Sequence, residues 1–223
     1  MAKIFLDSAS LVEIDEILKI GIISGVTTNP SFLKPEAGTD ALFHLQKIVS
    51  LLNQCETKLP FCVQVMTKDP QLMINQAEFL YSELNYKELI IKIPCGWNEL
   101  KVIKRLVSKG LKINCTACIT PAQVAVASSV GSQYISLFLG KARDAGEDSN
   151  TLVQRCMNSI VESQNKAKLI VGSLRTVTDV ETAILGGTNI VTVRSVILKE
   201  MINHPKTNEA IDAFAKDFIP LQK

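Results

Sequence analysis

Aromatic side chains are scarce in this chain of 223 residues: they make up 5%, with a single tryptophan, so the core must be built from aliphatic residues. The remaining balance, 47% apolar and 21% charged, is that of a soluble globular protein. No apolar run approaches the roughly 20 residues that cross a bilayer as a helix, which excludes a transmembrane helix. Charge of one sign is also lacking. A formal net charge of +2 gives no general attraction to nucleic acid or to a membrane surface, so any cation that matters must act locally. The opening "MAKIFLDSAS" places Asp7 where a signal peptide would continue its apolar stretch, and the expected location is the cytoplasm.

Histidine is nearly absent, with only His44 and His204. The six cysteines, Cys55, Cys62, Cys95, Cys115, Cys118 and Cys156, are scattered mostly among apolar neighbours, as small core residues often are. Cys115 and Cys118 form a CxxC, but no second pair or histidine cluster accompanies it, and a strand end is a poor setting for a redox motif. The expectation is therefore that this pair has no metal or redox function. A glycine-rich dinucleotide loop is missing after the first β-rich run.

What is present is alternation. Eight β-rich runs recur along the chain: Lys3 to Asp7, Gly25 to Thr28, Phe61 to Met66, Leu89 to Ile93, Lys112 to Thr116, Tyr134 to Phe138, Leu169 to Gly172 and Ile190 to Val193. Helical patterns lie between them. Ser10 with Glu13 has the form of a capping box, followed by Leu11, Ile14, Ile17 and Leu18 and stopped by Gly21. Asp69-Pro70 and Asn98 open the helices after the third and fourth runs, and Gly110 closes the second of these; Thr120-Pro121 with Gln123, and Thr178 with Glu181, repeat the start signal.

One helix after each strand implies a parallel sheet, and eight such units in a chain of this size predict an α/β fold, a single-domain (β/α)8 TIM barrel over residues 1–223. A further helix over about 206–218 lies beyond the eighth unit, with Ile211, Phe214, Ala215 and Phe218 on one face. It either caps the barrel or packs on a neighbouring subunit.

In such barrels the chemistry sits at the C-terminal ends of the strands. The runs end in Asp7, Thr27-Thr28-Asn29, Gln64, Lys92, Thr116, Phe138, Ser173 with Arg175, and Arg194. Turn or cap roles account for Asp7, Asn29, Thr116 or Ser173 taken singly. Gln64 is harder to place so, because a long amide between Val63 and Val65 needs partners if buried. Lys92 interrupts "ELIIKIP": either it snorkels to solvent, or burial lowers its proton affinity and makes it a nucleophile for a carbonyl. The whole set suits Schiff-base aldol chemistry, with Lys92 forming the imine, Asp7 taking a hydroxyl proton, and Gln64 and Thr116 holding a water. Ser173 and Arg175, with Lys141, Arg143 and Arg194 near the same rim, suit a phosphate, although Arg143 can equally pair with the acids of "KARDAGED".

The motifs "GVTTNPS", "IIKIP", "GLKINCTA" and "GSLRT", in this order and spacing, resemble the short transaldolase family, which includes the fructose 6-phosphate aldolases; the likeness runs from "FLDSA" to "NHPKTNEAIDAFAKDF". The resemblance implies a (β/α)8 barrel, Lys92 as the Schiff-base lysine, Asp7 as acid–base, and Gln64 as the water-holding residue of the third strand. It also implies substrate contacts from Thr28, Asn29, Phe138 and Ser173, and a phosphate contact from Arg175. No metal or organic cofactor is implied. Partners would be sugar phosphates and further copies of the chain, a pentamer or decamer. Gln64 matches the aldolases of the family, where many transaldolases carry glutamate, whereas Phe138 matches the transaldolases, where the aldolases carry tyrosine. Lys141, Arg143 and Arg194 stand where relatives usually have Arg, Asp and often Pro. The expected activity is transfer of a dihydroxyacetone unit from sedoheptulose 7-phosphate or fructose 6-phosphate to an aldose phosphate, as in the pentose phosphate pathway. The alternatives are cleavage of fructose 6-phosphate to dihydroxyacetone and glyceraldehyde 3-phosphate, and a non-catalytic sugar-phosphate-binding barrel.

Overall fold

A computed structural model of the chain describes residues 2–162 and 166–218. Within them eight parallel strands close into a barrel in sequence order. In chain order the elements are β1 (Lys3–Asp7), α1 (Leu11–Ile20), β2 (Val26–Thr27), α2 (Pro30–Ala37), α3 (Ala41–Asn53), β3 (Phe61–Gln64), α4 (Pro70–Leu84), β4 (Leu89–Pro94), α5 (Trp97–Ser108) and β5 (Ile113–Cys118). They continue with α6 (Pro121–Ser129), β6 (Tyr134–Phe138), α7 (Leu139–Asp144), α8 (Ser149–Glu162), β7 (Lys168–Gly172), α9 (Val177–Leu185), β8 (Ile190–Val193), α10 (Ser195–Glu200) and α11 (Pro205–Lys216). The fold is a TIM barrel with an added C-terminal helix, as the alternation predicts.

The aliphatic composition is used in two places. Residues facing outward from the strands, such as Leu6, Val63, Ile91, Ile93, Ile113 and Val171, pack with the helices in one large core. Inside the barrel Phe5, Cys62, Ile90, Ile170 and Ile190 form a separate apolar layer. Because side chains alternate along a strand, the next inward position above that layer is Asp7, Gln64, Lys92 or Thr192. An apolar floor thus carries a polar storey, facing the end of the barrel where the βα loops begin.

Several local expectations are corrected. The second and sixth strands are each followed by two helices rather than one. Gly38, with φ 57°, ends α2, and Asp40 starts α3 by accepting a hydrogen bond from the Phe43 amide at 2.9 Å. Gly146, with φ 90°, stands in the turn between α7 and α8. Ser10 makes no side-chain cap on α1. Glu13 instead accepts hydrogen bonds from Ser8 Oγ at 2.5 Å and from Ser195 Oγ, linking the first βα unit to the start of α10. The capping box of α9 is Thr176 with Asp179, two residues before the expected pair Thr178 and Glu181. Gly96, not Asn98, is the N-cap of α5. β5 runs to Cys118, past the expected end at Thr116, because a bulge between Cys115 and Cys118 carries the strand on. Ala117 absorbs it at φ 63°, in the left-handed region.

Helix α11 does not cap the barrel: all of its side chains are exposed, with Ile211, Phe214 and, just beyond it, Phe218 at 57%, 73% and 66%.

Candidate active site

A cavity of about 500 Å³ opens at the C-terminal end of the barrel. Of the residues singled out from sequence, Asp7, Thr27, Asn29, Gln64, Lys92, Phe138, Lys141 and Ser173 line it. Each owes its place to the barrel. Gln64 and Lys92 are register partners on β3 and β4, and Lys92 is paired in turn with Asn114 on β5.

Lys92 is buried, with 4% of its surface exposed, so it does not snorkel. Its Nζ donates a hydrogen bond to the Thr28 carbonyl oxygen at 2.8 Å. Burial pushes its proton affinity below the ordinary lysine value, and the charges of Asp7 and Cys62 only partly oppose this. Asp7 is displaced in the other direction: withdrawal from water raises its pKa, against the pull of Lys92, Thr27 and Arg194. Both shifts move the pair toward its uncharged forms.

Asp7 is held by a relay of hydroxyls. Thr27 Oγ1 donates to Asp7 Oδ1 at 2.7 Å, and Thr27 and Thr192 hydroxyls stand 2.6 Å apart. A hydroxyl has one proton to give; with that of Thr27 committed to Asp7, Thr192 is the donor of the second bond. Asn29 uses its Oδ1 to cap α2, accepting from the amides of Ser31 and Phe32 at 2.9 and 3.2 Å, and this fixes the residue at the cavity mouth. Ser173 has φ 57°, a left-handed conformation for a residue with a side chain, and its carbonyl accepts from the Gly140 amide at 3.2 Å. A Cβ on Gly140 would overlap that carbonyl oxygen, so glycine is required where the sixth and seventh loops meet.

The remaining expected residues fall outside the cavity wall. Thr28 meets Lys92 through its backbone. The Oγ1 atoms of Thr28 and Thr116 are both buried without a hydrogen-bond partner among the described residues. Arg175 is exposed and forms a two-pronged pair with Asp144, Nη1 to Oδ1 at 2.8 Å and Nη2 to Oδ2 at 2.5 Å. Arg194 lines a smaller adjoining cavity of about 300 Å³ that shares Asp7 with the main one. Arg143 pairs with Asp179, outside its own loop, rather than with the acids of "KARDAGED".

Sequence reasoning missed Asn114, Ser136 and Thr192, and named Thr27 only as one of the polar groups at the end of the second strand. Asn114 is fully buried, accepts from Ser136 Oγ at 3.0 Å and is the register neighbour of Lys92. Its signal was available: an amide between Ile113 and Cys115 poses the same question as Gln64 between two valines. Ser136 and Thr192 carried none, because a single hydroxyl in a strand is ordinary.

Family and relatives place this (β/α)8 barrel among enzymes of the aldolase/transaldolase type. A family model described as "Transaldolase/Fructose-6-phosphate aldolase" matches residues 4–222, and the chain belongs to that family. It is 35% identical over 222 residues to a "probable transaldolase" of Carboxydothermus hydrogenoformans, covering 99% of this chain and 100% of that one. A "probable transaldolase" of Clostridioides difficile is 33% identical over 216 residues, covering 97% and 96%. Among solved structures, a protein from Coccidioides immitis provisionally described as a fructose-1,6-biphosphate aldolase superposes with a TM-score of 0.62 at 16% identity, over 98% of this chain and 80% of that one. That last likeness speaks to the fold alone.

Proposed function

We propose that the protein is a transaldolase working through a Schiff base on Lys92. The observation that carries this reading is a lysine buried in the wall of the cavity at the barrel's catalytic end, with Asp7 on the same wall, where burial lowers the proton affinity of the amine and raises that of the carboxylate. The neutral amine of Lys92, held through one N–H by the Thr28 carbonyl, attacks the ketone carbon of a ketose phosphate. Loss of water gives an iminium. Asp7 then takes the proton from the C4 hydroxyl, the C3–C4 bond breaks, and its electron pair moves into the iminium as an enamine while the aldose phosphate departs. Addition of the enamine to a second aldose phosphate and hydrolysis of the new imine complete the transfer. Gln64 and the uncommitted hydroxyl of Thr116 hold the hydrolytic water. Asn29 and Ser173 contact substrate hydroxyls, and Lys141, with Arg175 once released from Asp144, binds the phosphate; Arg194 adds positive potential beside Asp7. The setting is carbohydrate metabolism in the cytoplasm, in the pentose phosphate pathway, with no metal or organic cofactor, and the chain acts as a single domain in a homo-oligomer.

Phe138 favours transfer over simple cleavage. It lines the cavity without a hydroxyl that could help hydrolyse the enamine-derived intermediate, so the three-carbon unit persists until an aldehyde arrives. Gln64, the aldolase-like residue, supports the second reading, a fructose 6-phosphate aldolase. Borohydride trapping with fructose 6-phosphate, followed by peptide mass mapping, tests the chemistry: a reduced three-carbon adduct on Lys92 is expected, and an unlabelled Lys92 in folded protein overturns it. Assay without acceptor separates the two readings, since rapid accumulation of glyceraldehyde 3-phosphate would replace the transferase by the aldolase.

A further inference from the structure

The barrel brings together three thiols that the proposed chemistry does not use. Sγ atoms of Cys95, Cys115 and Cys118 all lie within 4.8 Å of one another, and those of Cys115 and Cys118 are 4.0 Å apart. All are free. In a regular strand residues three apart point to opposite faces; the bulge at Ala117, with its positive φ, returns Cys118 to the face of Cys115. That face is the outer one. Cys115 and Cys118 belong to the core between sheet and helices, and Cys95, at the end of β4, packs against it while remaining half-buried. Lys92 and Thr116, on the same two strands, face inward.

We propose that Cys95, Cys115 and Cys118 form a three-thiolate site for one soft, thiophilic metal cation of filled d shell, such as Cu⁺, Zn²⁺ or Cd²⁺. Soft sulfur ligands select such ions. With metal–sulfur bonds of about 2.3 Å, a trigonal three-sulfur site places its sulfurs about 4.0 Å apart, which is the Cys115–Cys118 separation found here. A disulfide would use two of the thiols and leave the third over; a metal uses all of them. The bound ion would clamp β4 to β5 behind the cavity. The site is independent of the transaldolase reading.

The test is titration of the fully reduced full-length protein with Cd²⁺, followed by thiolate-to-metal ultraviolet absorbance, with cadmium-edge X-ray absorption on the loaded wild type. One equivalent per chain with three sulfur neighbours is expected, uncompeted by excess Mg²⁺ and displaced by Cu⁺. Cys95→Ser should weaken uptake at least tenfold, whereas Cys55→Ser should leave it unchanged. No stoichiometric uptake, fewer than three sulfur neighbours, or wild-type uptake by Cys95→Ser overturns the proposal. The X-ray count needs no variant to fold.

Discussion

At the scale of single residues, the site departs from ordinary packing at charges placed where water is scarce. Lys92 is the clearest. Its alternatives in the sequence, snorkelling or nucleophile, differ only in where the amine ends up, and a closed barrel leaves it inside. Free amine should therefore appear at lower pH than for an exposed lysine, and kcat/KM should rise with pH along a limb lying below the usual lysine value of 10.5. A pH–rate profile whose limb sits at that ordinary value would contradict the assignment.

Asp7 has the opposite sign. Its folded pKa is raised above 3.8, so the native state binds its proton more tightly than the unfolded chain does. The stability this gives is present below the unfolded value and is lost as pH rises through the folded value. Above the folded value the ionised carboxylate is a net cost. Asp7→Asn should accordingly raise Tm while lowering kcat by roughly 10²–10⁴-fold, the range for a lost acid–base group; thermal melts beside steady-state assays read both. A variant that loses stability and activity together would instead make Asp7 a structural residue.

At the scale of elements, the strands follow from composition and the loops from a few fixed groups. The sixth and seventh loops meet at Gly140 and Ser173, where backbone lies on backbone. Gly140→Ala should cost about 1–3 kcal/mol, as overpacking does, and should weaken binding of phosphorylated substrate by displacing Lys141. Denaturant unfolding and KM check the two halves. The α9 cap is a further test: Thr176→Ala removes the bond to the Asp179 amide, 3.1 Å long, and should cost about 1 kcal/mol. The sequence pattern pointed to Thr178, through Glu181, as the cap. Asp179 decides, because its carboxylate accepts from the amides of Arg175 and Thr176 and pairs with Arg143 from another loop, and that third contact is invisible along the chain.

At the scale of the whole molecule, α11 stands apart. A helix with Ile211 and Phe214 on one face and none of its side chains buried cannot be stabilised by its own chain, since short isolated helices are marginal in water. We expect a second copy to cover it. Phe214→Glu should then lower the particle mass in light scattering with the barrel's circular dichroism unchanged; an unaltered mass would remove α11 from the interface.

The sequence by itself determined the barrel, its eight units and about half of the cavity wall. Alternating strand and helix patterns leave a parallel sheet no other connection, and strand ends are then forced to one rim; Asp7, Gln64, Lys92 and Phe138 could be read off for that reason. Only the tertiary structure decided which polar groups meet. Strand register set Asn114 beside Lys92, closure of the barrel joined Thr192 to Thr27 and so to Asp7, and the bulge at Ala117 gathered Cys115 and Cys118 with Cys95. It also tied Arg175 to Asp144 rather than to the cavity. Apart from Cys115 and Cys118, three residues apart, these are contacts between residues distant in the chain, fixed by closure, register and one left-handed residue, and local periodicity carries no record of them.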